Sequence, residues 1–112
     1  RTVLGFDYGT RRIGIATESI VSLGCIISGG SIHRTVLGRR CRINSFSDVQ
    51  ESILMDNVQI GRHARIRRAI IDKDVDIPPG TQIGYDLSRD RERFYVSDEG
   101  IVVIAKRSKV RG

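Results

Sequence analysis

The sequence predicts an all-β fold, a parallel β-helix of about four coils with a β-hairpin at either end. Three observations predict it. First, large aliphatics recur every 17 residues, as Ile20, Ile26, Ile32, then Leu37, Ile43, Val49, then Leu54, Ile60, Ile66, then Ile71, Ile77, Ile83. The steps run six, six, five; no α-helix has that period, whereas three short strands per turn of a triangular coil do. Second, side chains alternate along a strand, so the residue two before each aliphatic also points inward. Those residues are all small or medium: Gly24, Gly30, Thr35, Cys41, Ser47, Ser52, Val58, Ala64, Ala69, Val75 and Thr81. Third, the rule fails only at Glu18, so regular coiling is expected to begin near Ser19. An interior filled with aliphatics leaves no room for a buried active site.

The chain divides at these signals into residues 1–17, 18–84 and 85–112. In the first section Thr2 to Asp7 and Ile13 to Thr17 read as strands around Tyr8-Gly9-Thr10, an N-terminal hairpin. That hairpin caps the open edge of its own coil or of a neighbour's. The β-helix follows, closed by Ile77-Pro78-Pro79-Gly80, with its prolines at a corner where no strand N–H is needed. Residues 85–93 are polar and charged and read as a surface linker. Phe94-Tyr95-Val96, the turn Ser97-Asp98-Glu99-Gly100 and Ile101 to Ala105 read as a C-terminal hairpin, followed by a basic tail. One outward column, Val36, Ile53 and Ile70, is apolar. Either a terminal hairpin covers it or another domain or subunit does.

The net charge of +6 and pI of about 10 would ordinarily point to polyanions. The period argues against nucleic acid. Residues one coil apart stack about 4.8 Å apart, so Arg34, Glu51 and Arg68 form one alternating ladder and Arg39, Asp56 and Lys73 another, with Asp48 beneath Arg65. Lys106, Arg107, Lys109 and Arg111 have no evident acidic partner and read as a solvated tail or an anion site. Cys41 falls on an inward position as core filler, and Cys25 outward on a different column, so the two are not expected to meet. Unpaired thiols, no apolar run long enough for a membrane and no signal peptide predict a cytoplasmic protein. A start at Arg1 without Met points to a fragment or a processed chain.

Several stretches carry a family resemblance: Glu18-Ser19-Ile20-Val21-Ser22, Gly24-Cys25-Ile26-Ile27-Ser28-Gly29, Arg42-Ile43-Asn44-Ser45-Phe46, Arg67-Arg68-Ala69-Ile70-Ile71-Asp72, Ile77-Pro78-Pro79-Gly80, and Arg93-Phe94-Tyr95-Val96-Ser97-Asp98-Glu99-Gly100-Ile101-Val102. From about Arg11 to Arg107 the chain resembles the C-terminal domain of bacterial ADP-glucose pyrophosphorylase (glucose-1-phosphate adenylyltransferase). The resemblance implies a left-handed coil. It also implies a non-catalytic domain for homo-oligomer assembly and allosteric effector binding, in an enzyme of glycogen or starch precursor synthesis. Lys73 and Lys106 match basic residues that contact a sugar-phosphate effector, and Lys109 and Arg111 flank a third place, taken here by Val110. That family's nucleotidyltransferase machinery, an α/β domain with a Gly-rich loop, is not in this segment. The run Thr2-Val3-Leu4-Gly5-Phe6-Asp7-Tyr8-Gly9-Thr10-Arg11-Arg12-Ile13-Gly14-Ile15-Ala16 instead resembles the opening hairpin of a Holliday-junction resolvase family with an RNase H-like fold. There Asp7 would be a metal-binding carboxylate, and the chain would be a chimera of two genes.

Three other functions compete with the assembly and effector reading. A hexapeptide-repeat acyltransferase needs a catalytic His, a cofactor groove and usually an extruded loop. His33 and His63 are present, but His33 faces outward and the period leaves no loop. A metal-dependent nuclease needs several convergent carboxylates beside Asp7, and the strands and helix that carry them are absent. A chimera with a structural role alone is the last. No cofactor, metal, membrane or nucleic acid is expected.

Overall fold

The computed structural model describes residues 11–12 and 15–111, which wind as a triangular solenoid. The first coil holds β1 (Arg11–Arg12), β2 (Ile15–Thr17) and β3 (Ile20–Val21). The second holds β4 (Ile26–Ile27), β5 (Ser31–His33) and β6 (Val36–Leu37), and the third β7 (Arg42–Ile43), β8 (Asp48–Gln50) and β9 (Ile53–Leu54). The fourth holds β10 (Gln59–Ile60), β11 (Arg65–Arg67) and β12 (Ala69–Ile71). The fifth holds β13 (Asp76–Ile77) and β14 (Gln82–Ile83), then departs into α1 (Leu87–Arg93) and β15 (Tyr95–Val96) before β16 (Val102–Ile104) completes it. Each face therefore stacks five parallel rungs, one from each coil, and β15 adds an antiparallel edge strand to the third face.

The core is the expected column of aliphatics. Ile32, Leu37, Ile43, Val49, Leu54, Ile60, Ile66, Ile71 and Ile83 are fully buried, over Cys41, Ser47, Ser52, Val58, Ala64, Ala69, Val75 and Thr81. Corners turn through left-handed residues, in one column Gly24, Arg40, Asn57, Asp74 and Arg107, with φ between 57 and 79°. Gly84 is obligatory: its φ is +90° and a Cβ there would collide with the Arg67 carbonyl.

Four expectations change. The period is not unbroken. Ile27 pairs with Ile43, sixteen residues on, but Ser31 pairs with Asp48, seventeen on. The corner at Ser28-Gly29-Gly30 is one residue shorter than the one at Asn44-Ser45-Phe46-Ser47. The inward residues of the earlier rungs are consequently Val21 and Ile27; Ile20 is 64% exposed and Ile26 half-buried. Cys25, not Gly24, takes the small inward place, directly over Cys41, so the two cysteines do meet.

Coiling also starts before Ser19. β1 lies parallel on β4 and β2 on β5, so the strand expected as a hairpin arm is a rung of the coil. The other arm, Thr2 to Asp7, and the turn lie outside the described residues, as does Asp7. Residues 85–93 are not a linker. Asp86 caps α1 by accepting from the Arg89 N–H at 3.2 Å, and Leu87 and Phe94 pack on the core. The C-terminal hairpin forms as expected, Tyr95 against Val103 and Val96 against Val102. It extends the third sheet rather than covering it, because β16 takes the rung beside β12, Ala69 against Val102 and Ile71 against Ile104.

The ladders are partly realised. Arg34 lies 3.6 Å from Glu18 and 3.8 Å from Glu51, and Arg39 lies 3.5 Å from Asp56. Asp48 accepts from Ser31 and Gln50, while Arg65 and Arg67 both turn onto the Tyr85 ring, 4.4 and 4.3 Å from its centre. Arg107 of the tail does have an acidic partner, Asp74 at 3.7 Å.

Candidate functional site

Lys73 follows β12 at the corner leading to the first face. Its N–H donates to Asp72 Oδ1 at 2.7 Å and its ammonium lies 3.7 Å from the same oxygen. The next rung repeats the corner. The Arg107 N–H donates to the Lys73 carbonyl at 3.0 Å, which seats Lys106 beside Lys73. Both lysines are exposed. The column below them continues through Asp56, whose carboxyl is held below the ordinary range by the Arg39 N–H at 2.8 Å and, more weakly, by the Arg39 and Lys73 charges.

Lys109 and Arg111 stand elsewhere. The Lys109 backbone forms a parallel β-bridge with Asp76 on the first face, and Lys109 and Arg111 line a shallow cleft of about 290 Å³ with Asp74, Asp76, Arg107 and Val110. Two carboxylates offset the cations there. Val110 is buried at the open end of the core. The four predicted cations thus fall into two pairs, one at a corner with two lysines projecting and one on a face of mixed charge.

The apolar column is longer than Val36, Ile53 and Ile70. Rung by rung it reads Ile20, Val36, Ile53, Ile70, Val103 and Tyr95 across all six strands of the third sheet. Ile53 is 43% and Tyr95 68% exposed. Beside it a cleft of about 270 Å³ opens at Ile53, Ile70 and Ile101, edged by Glu51 and Arg68. Ile20 is masked in the sequence by the doublet Ile20-Val21, in which either aliphatic fits the inward place and Val21 takes it. Val103 and Tyr95 are masked there because only the pairing of β16 with β12 brings them into line.

The histidines do not converge. His33 is half-buried in β5 opposite Gln50, and His63 is exposed and stacks on Phe46 with centres 4.9 Å apart. Among the described residues no three His, Cys, Asp or Glu side chains gather as a metal site. No helix among them is long and apolar enough to cross a membrane.

Five parallel rungs per face, an aliphatic interior and polar corners define a hexapeptide-repeat β-helix. The family model described as "GlmU-like, C-terminal hexapeptide" matches residues 6–104. The chain belongs to that family. The glucose-1-phosphate adenylyltransferase of Anaeromyxobacter sp. (strain Fw109-5) is 60% identical to it over 99 residues, 88% of this chain and 24% of that protein. That of Rhodopirellula baltica is 57% identical over 105 residues, 93% of this chain and 24% of that protein. That of Koribacter versatilis is 54% identical over 95 residues, 85% and 23%. The chain spans about a quarter of the length of these relatives. The family match begins inside the stretch that resembles a resolvase hairpin, and so lends a splice there no support.

Proposed function

We propose that the chain is a non-catalytic assembly and effector-binding module of a glucose-1-phosphate adenylyltransferase, a cytoplasmic enzyme that makes the precursor of glycogen or starch. The observation that carries the effector half is the seating of Lys106 beside Lys73 across a 16-residue excursion of the chain. Two like charges on adjacent rungs repel, and a phosphate bound between them turns that repulsion into charge-assisted bonds. The effector is a sugar phosphate; Lys109 and Arg111 reinforce the positive field from the neighbouring face. The assembly half rests on the apolar column at Val36, Ile53 and Ile70, which a second subunit would cover in a homo-oligomer. Size-exclusion chromatography with light scattering and thermal shift with fructose 1,6-bisphosphate test the two halves separately. A monomer at all concentrations would remove the assembly claim, and no shift at millimolar ligand would remove the effector claim.

A further inference from the structure

Cys25 and Cys41 are the two cysteines of the chain, and both are free and buried. They hold neighbouring places in one inward column that continues as Val58 and Val75. The Ile26 N–H donates to the Cys41 carbonyl at 2.9 Å, and Ile26 pairs with Arg42. Cys25 and Cys41 are therefore direct neighbours on adjacent parallel rungs. Rungs stand about 4.8 Å apart, within the roughly 4.4–6.8 Å between Cα atoms that a disulfide spans. Each sulfur donates to the carbonyl of the same corner one rung on, Cys25 to Gly38 at 3.0 Å and Cys41 to Met55 at 3.1 Å. Since valine fills the same column in later coils, packing does not demand a thiol here. The pair is also unequal. Its contact with Cys41 holds the Cys25 thiol below its ordinary value, against burial, and that contact together with burial pushes Cys41 up.

We propose that Cys25 and Cys41 form a redox modification site, at which a peroxide closes a reversible disulfide that clamps the second coil to the third. The Cys25 thiolate attacks one peroxide oxygen, breaking the O–O bond, releasing hydroxide and leaving a sulfenic acid. The Cys41 thiol then displaces the sulfenic oxygen, forming the S–S bond. Its proton leaves with that oxygen as water. Both thiols are oxidised by one electron each and the peroxide is reduced by two. Access comes from local opening of the coil: the strands that follow the two cysteines, β4 and β7, are two residues each and Cys25 lies one coil from the start of the described solenoid. A small-molecule dithiol reverses the bond by exchange.

The test treats the reduced protein with hydrogen peroxide. Expected are loss of both titratable thiols on denaturation, a monomer lighter by about 2 Da, the two hydrogens lost, and one peptide linking Cys25 to Cys41. The thermal midpoint should rise by about 5 °C or more, as for closure of a short loop in a small domain, and fall back with dithiothreitol. The double variant Cys25→Val with Cys41→Val should keep the reduced midpoint within about 3 °C and show no peroxide response. Thiols that survive peroxide, oxidation ending in sulfinic acid or intermolecular dimers, or an equal midpoint shift in the valine variant would each overturn the site.

Discussion

Lys106 sits on the rung beside Lys73 although it lies 33 positions further along the chain, fixed by the 3.0 Å bond from the Arg107 N–H to the Lys73 carbonyl. Between β14 and β16 the chain leaves the solenoid as α1 and β15, then returns in register, Ala69 against Val102. The excursion does two things at once. It blunts the C-terminal edge of the coil with an antiparallel strand, and it adds one more turn of the Lys73 corner.

Substituting either corner lysine should weaken a bisphosphate ligand. One charge-assisted hydrogen bond is worth about 1.5–3 kcal/mol, so Lys73→Ala or Lys106→Ala should each raise the Kd about tenfold or more by titration calorimetry. Lys109→Ala and Arg111→Ala, in the cleft where Asp74 and Asp76 already offset charge, should cost under about threefold. Equal losses at all four positions would mean diffuse attraction and no corner site.

The apolar column predicts a change of mass. Ile53 is at the middle of the stripe and its side chain touches solvent within the subunit, so Ile53→Asp should leave the subunit folded, its thermal midpoint lowered only by the stabilisation that assembly contributes. Light scattering should show the protein shifted to smaller species. Ile20→Asp, at the end of the stripe, should do so less. An unchanged mass for Ile53→Asp would place the interface on another face.

Much of the coil was legible because burial in a β-helix repeats in register, so each aliphatic column is read several times over. The error in the first coils has a local cause. Ile20-Val21 and Ile26-Ile27 are aliphatic doublets and Gly24-Cys25 is a small doublet, so a one-residue slip leaves the pattern intact. Only the short glycine corner at Gly29-Gly30 marks the deletion, and glycine is also what an ordinary corner uses. α1 was missed because its seven residues carry five charges and its stability comes from Asp90, buried by tertiary contact. The Asp86 cap was its one local signal. For the candidate site, the resemblance singled out the cations, but their division between corner and face depends on the length of the excursion, which no local pattern records.

Asp56 gives the corner a pH dependence. Its carboxyl is depressed chiefly by the Arg39 N–H and then by nearby positive charge. A folded-state pKa below the unfolded one favours the fold above the ordinary carboxylate range and loses that benefit as pH falls through the depressed value. Asp56→Asn should therefore be less stable than the parent at pH 7 and equal to it at strongly acid pH. Denaturation at a series of pH values measures this, and a gap that widens toward acid would contradict the assignment.

Asp90 predicts how far the excursion can be separated from the coil. It is 1% exposed, accepts the Gly84 N–H at 2.8 Å and faces Arg93 at 3.5 Å. Arg93 in turn donates to the carbonyls of Arg111 at 2.9 Å and Gln82 at 3.2 Å. Asp90→Ala strands a buried N–H and a half-buried guanidinium, at a cost of about 3 kcal/mol. Asp90→Asn keeps an acceptor for Gly84 and should cost about 1 kcal/mol. A solenoid couples mainly neighbouring repeats, so hydrogen exchange should quicken at Gly84, Phe94 and Val102 while Ile43 and Ile60 stay protected. Effector affinity should fall as well, with both lysines in place, because β16 is what seats Lys106. Uniform loss of protection, or unchanged affinity with the helix released, would show that the lysine corner does not depend on the excursion.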